Sequence, residues 1–288
     1  MSTYQKGKKY SGRLLIGVLL AYLFVIFICI YMLLPVLRVI QLSLEPLEYY
    51  FSIERSLMPK EITLNNFIRL FTETPYPRWL LNSTIIASLQ SILTTAVCML
   101  AAYAYTIYSF RAKEKIFLLL LSTIMIPFPV GVPALFIFFR SLNLINTYWA
   151  VVLPGIASVF SLFFMRSYME VSIIRDLVDS ARIDGASEFK IFYKIIAPLL
   201  KPGIAALITM IFTSSFNDYF WPLIVLRSED MYTVQVGLPI WNVIIGAAKV
   251  NFDLLAAGAI ISTIPPLIVF ITLQKYLIMG LTFGAVKR

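Results

Sequence analysis

Between residues 179 and 194 of this 288-residue chain, six charged side chains fall within sixteen positions: Asp179, Arg182, Asp184, Glu188, Lys190 and Lys194. Carboxylates and bases at that density can do two kinds of chemistry, proton transfer or ion pairing with a partner. Proton transfer near neutral pH calls first on histidine, and the chain has none. Its two cysteines, Cys29 and Cys98, each sit inside an apolar run, where cysteine behaves as a small hydrophobe. No cluster of Cys and His is available to hold zinc, and no set of acid, base and nucleophile converges. The phosphate-cradling pattern Gly-x-x-x-x-Gly-Lys-Ser/Thr is missing, so the chain is expected to bind no nucleotide itself. Ion pairing and docking remain for this segment.

A second polar group, Asn217, Asp218 and Tyr219, lies inside an apolar stretch. An ionisable residue there is costly and by default marks function. Amides, a carboxylate and aromatic rings together suit sugars, whose hydroxyls need hydrogen bonds and whose ring faces stack. The plainer reading is that Asn217 and Asp218 knit helices or line a gate, with Trp221 in the interfacial belt.

What must position these residues is a membrane bundle. Hydrophobic residues make up 60% and charged residues 14%, with mean hydropathy +0.85, well below the quarter charged that is usual in water. Spanning a hydrocarbon core takes roughly 20 apolar helical residues, and six stretches qualify: 14–37, 80–108, 116–139, 148–164, 202–226 and 254–277. The expected fold is therefore all-α and polytopic, a single domain over residues 1–288, without strands because backbone groups in lipid must bond within their own segment. Pro154 and Gly155 interrupt the fourth span. Pro127, Pro129, Gly131 and Pro133 bend or unwind the third, where Ser122, Thr123 and freed carbonyls could face a pathway. Lys6, Lys8, Lys9 and Arg13 precede an apolar run too long for a signal-peptide core, which reads as an uncleaved anchor.

Lys and Arg placement orients the bundle. With the N-terminus inside, the inner segments hold 16 and the outer loops eight. The net charge of +9 is thus a topology signal, and nucleic acid is not an expected partner. Both termini and the loop 171–198 are expected in the cytoplasm. In that loop Ile174, Leu177, Val178 and Ala181 share one helical face, and Phe189, Phe192, Tyr193 and Ile196 share another. Asp184-Gly185 ends the first helix, and Ser187 caps the second. Such a pair is either an interfacial tie between spans or a docking surface.

The run Asp179-Ser180-Ala181-Arg182-Ile183-Asp184-Gly185-Ala186-Ser187, followed by Phe189 and Pro198, resembles the EAA loop of permease subunits of bacterial ABC importers. Asp179 stands where that family usually has Glu, and Ser180 where it has the first Ala; the carboxylate and the small side chain are kept. "ITLNNFIRLF", "WLLNSTIIA", "LNLINTYWAVVLP", "FNDYFWPLIVL" and "GLTFGAVKR" are similar to segments of the smaller sugar-importer permease, in the same order along nearly the whole chain.

The resemblance implies a sugar or oligosaccharide permease in the bacterial cytoplasmic membrane, surrounded by lipid. It would pair with a second permease and with two cytoplasmic ATP-binding subunits, and receive substrate from an extracytoplasmic sugar-binding protein that touches the outer loop from Arg227 to Asp253. No cofactor belongs to this chain; ATP and Mg are held by the partner ATPase. Ile174, Leu177, Asp179, Ser180, Ala181, Asp184, Gly185, Ala186 and Phe189 would contact that ATPase, and Asn217, Asp218, Tyr219, Ser122 and Thr123 would line the substrate pathway. A secondary transporter would want several intramembrane charges for ion coupling. A membrane enzyme would want a convergent catalytic set, and a mere anchor would leave the cytoplasmic helix pair without a role.

Overall fold

A computed structural model describes residues 12–50, 59–173, 175–244 and 251–285. In chain order its helices are α1 Gly12–Leu44, α2 Leu47–Tyr50, α3 Asn65–Thr72, α4 Tyr76–Ile107, α5 Lys113–Ser122, α6 Phe128–Ser141, α7 Tyr148–Ile156, α8 Val159–Ser172 and α9 Arg175–Ile183. They continue with α10 Glu188–Ile191, α11 Ala197–Leu199, α12 Lys201–Phe216, α13 Phe220–Val225, α14 Val234–Ile244, α15 Phe252–Ser262 and α16 Ile264–Ala285. A π-helical turn, Phe192–Ile196, joins α10 to α11. No strand occurs among the described residues.

Three helical stretches, Ile16–Leu44, Tyr76–Ile107 and Phe252–Tyr276, are each long and apolar enough to cross a membrane. Three bent pairs bring the number to as many as six by length and composition, if each counts as one span: Lys113–Met125 with Phe128–Ser141 (99°), Tyr148–Ile156 with Val159–Ser172 (45°), and Glu188–Leu199 with Lys201–Phe216 (77°), where the arm before Lys201 turns away from α12. The all-α fold expected from hydropathy is therefore present among the described residues, with three straight candidate spans and three bent pairs where six straight spans were expected.

Two compact units divide the chain. The first comprises residues 1–70 and 251–260. Its α1 carries exposed Ile, Leu, Phe and Val along residues 16–37, the surface of a helix meant for lipid or another apolar partner. Beyond this stretch the chain is tied by polar bonds: Asn66 Nδ2 donates to the Ser43 and Glu45 carbonyls at 3.1 and 2.9 Å, and Arg69 pairs with the buried Asp253 at 3.1 Å. The lysines before α1, and residues Lys287 and Arg288, lie outside the described residues.

The second unit, residues 71–250 and 261–288, is built on α4, with α7, α8 and α12 packed against it. The third span breaks after Met125. Ile126 is forced into extended backbone by the following proline (φ −83°, ψ 115°), and α6 restarts with Pro127 as its N-cap. The fourth span runs on to Ser172 rather than ending at 164. It turns at Ala157, and Ser158 caps α8 by accepting from Ser161 N at 3.2 Å. The carbonyls this break frees are met from α4: Thr94 Oγ1 donates to Gly155 O at 3.1 Å, and Cys98 Sγ to Ser158 O at 3.5 Å. That is how a broken helix survives without water.

The fifth span departs most from its expected bounds of 202–226. Helix α12 stops at Phe216, and α13 is a separate short helix. Asp218 is the cause: its Oδ1 accepts from Phe220 N at 3.1 Å, a local turn that competes with the helical ladder. At the α8–α12 crossing, a methyl on Gly203 would lie 2.6 Å from the Tyr168 ring, so only glycine permits that approach.

Candidate functional site

Two places collect the chemistry. The first is the helix pair α9–α10. Helix α9 ends as the sequence requires: Gly185 takes φ +77°, Ala186 N donates to Ala181 O, and Gly185 N donates to Arg182 O, both at 3.0 Å. This double bond pattern around a left-handed glycine is a Schellman cap. Ser187 Oγ then accepts from Lys190 N at 3.4 Å to start α10.

One side of the pair is packed. Val178, Ala181, Ile191, Phe192, Ile196 and Leu200 are buried with Cys98, Ala102 and Tyr103 of α4 and Met165 and Met169 of α8. Burying a side chain such as Ile191 or Ile196 contributes about 1.5–3 kcal/mol. The other side is bare. Leu177, Ile183, Phe189 and Tyr193 are exposed, Ile183 and Phe189 by 87% and 75%, and the Phe189 and Tyr193 rings stack 6.3 Å apart. The expected face joining Phe189 and Tyr193 to Phe192 and Ile196 is therefore corrected. The buried arc runs through Ile191, Phe192, Ile195 and Ile196, about a quarter turn away, leaving Phe189 and Tyr193 outside. Leu177 separates from Val178 and Ala181 in the same way. Ile174 lies outside the described residues.

Asp179, Ser180 and Asp184 are exposed beside this bare face, and Ala186 is half-buried. Asp179, expected among the ATPase contacts, already pairs within the chain with Arg182 Nη1 at 3.1 Å. Ser180 Oγ returns to Asp176 O at 2.7 Å. Among the described residues, its chain neighbours aside, nothing lies within 4 Å of where a side chain on Gly185 would begin.

Sequence reasoning missed the group that fixes the pair in place. Arg182 Nε donates to Glu188 Oε1 at 2.7 Å. Glu188 Oε2 accepts from Tyr103 and Tyr108 hydroxyls at 2.9 and 2.7 Å, the first on α4 and the second at its end. The hydrogen bond from Arg182, then that from Tyr108, hold the Glu188 carboxyl down at about 2 and keep it charged. Nearby, Arg166 of α8 lies over the Phe117 ring at 4.0 Å and pairs with Glu114 and Glu170 at 2.9 and 2.8 Å.

The second place is a partly open cavity of about 400 Å³ beside the middle of α4, lined by Gln90, Thr94, Gly155, Ser158, Ser161, Ser214, Ser215 and Asp218 among others. Gln90 accepts from Ser215 Oγ at 2.8 Å, and its amide nitrogen lies where a side chain on Gly155 would have to go. Asp218 lines this cavity. Asn217 instead donates to Thr213 O at 2.8 Å and accepts from Gln235 at 3.4 Å, and Tyr219 is exposed at the start of α13. Ser122 and Thr123 spend their hydroxyls on Leu119 and Leu120 carbonyls at 2.7 Å and do not line it.

Elsewhere, polar side chains in the segments that carry the resemblance act as stitches. Asn82 donates to the Asp230 and Tyr232 carbonyls at 2.7 and 2.8 Å and accepts from Tyr148 at 2.6 Å. Trp79 Nε1 donates to Glu229 O at 2.9 Å, Asn146 Oδ1 accepts from Arg227 N at 2.9 Å, and Trp221 Nε1 donates to Ala150 O at 2.8 Å. Together they pin the segment after α13.

The family described as "Binding-protein-dependent transport system inner membrane component" matches residues 94–282. The arabinooligosaccharides transport system permease protein AraQ of Halalkalibacterium halodurans is 38% identical over 93% of this chain and 95% of its own length. The galactooligosaccharides transport system permease protein GanQ of Bacillus subtilis is 34% identical, covering 96% and 97%. The trehalose/maltose transport system permease protein MalG of Thermococcus litoralis is 34% identical, covering 80% and 84%. In fold, the chain is similar to a solved bacterial ABC transporter involved in import of the acidic polysaccharide alginate, with TM-score 0.78 and 22% identity over 96% of this chain and 99% of that one.

Proposed function

The chain belongs to the binding-protein-dependent transport system inner membrane component family, and from that premise we propose how it works as the permease subunit of an ATP-driven importer of sugars or oligosaccharides. The sugars for which its relatives are named, arabino- and galactooligosaccharides and trehalose or maltose, support an oligosaccharide cargo. The chain crosses the bacterial cytoplasmic membrane six times with both termini inside, forms the pathway with a second permease, and receives cargo from an extracytoplasmic binding protein. It catalyses no reaction of its own; two cytoplasmic subunits bind ATP and Mg and supply the energy.

The observation that carries this reading is the two-sidedness of α9–α10. An apolar surface of Leu177, Ile183, Phe189 and Tyr193 left in water has no benefit to a lone subunit, and it suits a cleft in the ATPase. Asp179, Ser180, Asp184, Gly185 and Ala186 complete that contact, whereas Ala181, expected there, is buried on the opposite side against α4 and α8. The opposite side is locked to α4 and α8 by burial and by Arg182, Glu188, Tyr103 and Tyr108. When ATP closes the ATPase pair, the docked surface moves and the locked side carries α4 and α8 with it. The two permeases then alternate between inward- and outward-open states, whose populations ATP biases.

The test is coexpression with the second permease and the ATPase. Ile183→Asp and Phe189→Asp should leave membrane insertion intact while removing ATPase copurification and sugar uptake. Retention of the ATPase at the wild-type level in both variants rejects this docking face.

A further inference from the structure

The cavity beside α4 holds a charge without a counter-charge. Asp218 makes no ion pair among the described residues, and its hydrogen bonds come from the backbone N–H groups of Phe220 and Trp221. Among the described residues no lysine or arginine lines the cavity; its polar wall is otherwise Gln90, Thr94, Ser158, Ser161, Ser214 and Ser215. Much of the remaining wall is apolar, from Phe160, Leu207, Met210 and Ile211, so little intervenes to screen the carboxylate. Hydroxyls and an amide accept any polyol, but a carboxylate at Asp218 with no basic group beside it repels an anion.

We propose that this cavity is a charge filter on the sugar's passage, admitting neutral sugar units and turning away uronic acids and phosphorylated sugars. This deepens, and rests on, the importer reading above. The discrimination comes from Asp218 and from the lack of any base to offset it. Gln90, Ser214 and the other hydroxyl groups supply hydrogen bonds that are indifferent to charge.

Small charged thiol reagents test the filter without knowledge of the sugar and without the binding protein's own selectivity. With Cys29 and Cys98 replaced by serine, Ser214→Cys is placed in the assembled transporter in membranes. Its labelling rates by a cationic and an anionic methanethiosulfonate are then compared with those of free cysteine. The cation should be favoured by about tenfold or more, as expected for a unit charge a few ångströms away in a poorly screened site. Asp218→Asn should remove most of that preference, with Asp218→Ser as a second neutral variant and Met210→Cys as a second labelling position. Equal rates in the parent, a preference unchanged by both neutral variants, or no labelling at either position overturns the filter. The importer reading fails separately, by loss of ATPase copurification from the same membranes.

Discussion

Arg182 Nε donates to Glu188 Oε1 over 2.7 Å, closing a ring of side chains across the turn at Gly185. The same carboxylate takes two tyrosine hydroxyls from the end of α4, so one side chain ties both helices of the docking element to the bundle. Arg182→Ala and Glu188→Gln should each weaken ATPase binding. In a double-mutant cycle their coupling should be about 0.5–1 kcal/mol, the range for a partly exposed pair with good geometry. Binding affinities for the two single variants and the double variant measure it; strict additivity shows that the ring transmits nothing.

The pH dependence follows from Glu188. Its carboxyl is held at about 2, below the ordinary 4.5. A depressed acid contributes stability that is fully present above its unfolded value and is lost as pH falls through the folded one. Hydrogen exchange in the 175–200 segment should therefore be flat, once corrected for intrinsic rates, from pH 5 to 8. Protection should fall only between about pH 4.5 and 2. Glu188→Gln should lack that acid transition.

Gly185→Ala separates backbone strain from crowding, because its φ is +77° and, its chain neighbours aside, nothing among the described residues lies within 4 Å of the added methyl. The cost to the loop should be about 1 kcal/mol, with Gly185→Asn costing less. If Ala reduces ATPase copurification far more than that and Asn does so equally, the partner itself needs the empty space.

Gly203→Ala should destabilise by steric means, since the added methyl meets the Tyr168 ring at 2.6 Å. Overpacking of this kind costs about 1–3 kcal/mol. Thermal unfolding in detergent should show a lowered Tm, recovered in part by combining the change with Tyr168→Ala. An unaltered Tm means that α8 and α12 do not cross so closely.

Asn82→Ala should free the segment after α13 by leaving the Asp230 and Tyr232 carbonyls without their donor. A lost buried partner costs about 1–3 kcal/mol. Limited proteolysis at residues 227–232 is the measurement. Cleavage no faster than in the parent removes Asn82 from the role of anchor.

Much of this was legible in the sequence because it is local. Gly185 and Ser187 announce a stop and a start within three residues, and the apolar runs announce spans. The side-chain ring around Glu188 was not legible, since its tyrosine partners stand 80 and 85 residues away. The orientation of α10 failed for another reason: apolar residues fill two neighbouring arcs, and spacing alone cannot say which of them packs inward. Asp218 was noticed for its charge, but its ability to end α12 through the Phe220 N–H belongs to a turn that hydropathy does not register. Ser122 and Thr123 looked available, whereas hydroxyls one turn past a carbonyl satisfy themselves first.

The buried side of α9–α10 shares one hydrophobic cluster with α4, α8 and α12. A lever joined by a slack tether would lose travel before its load moved. Here the tie is a packed core, so on the proposed docking any displacement of the surface passes to α4, α8 and α12 through buried side chains and not through a loop.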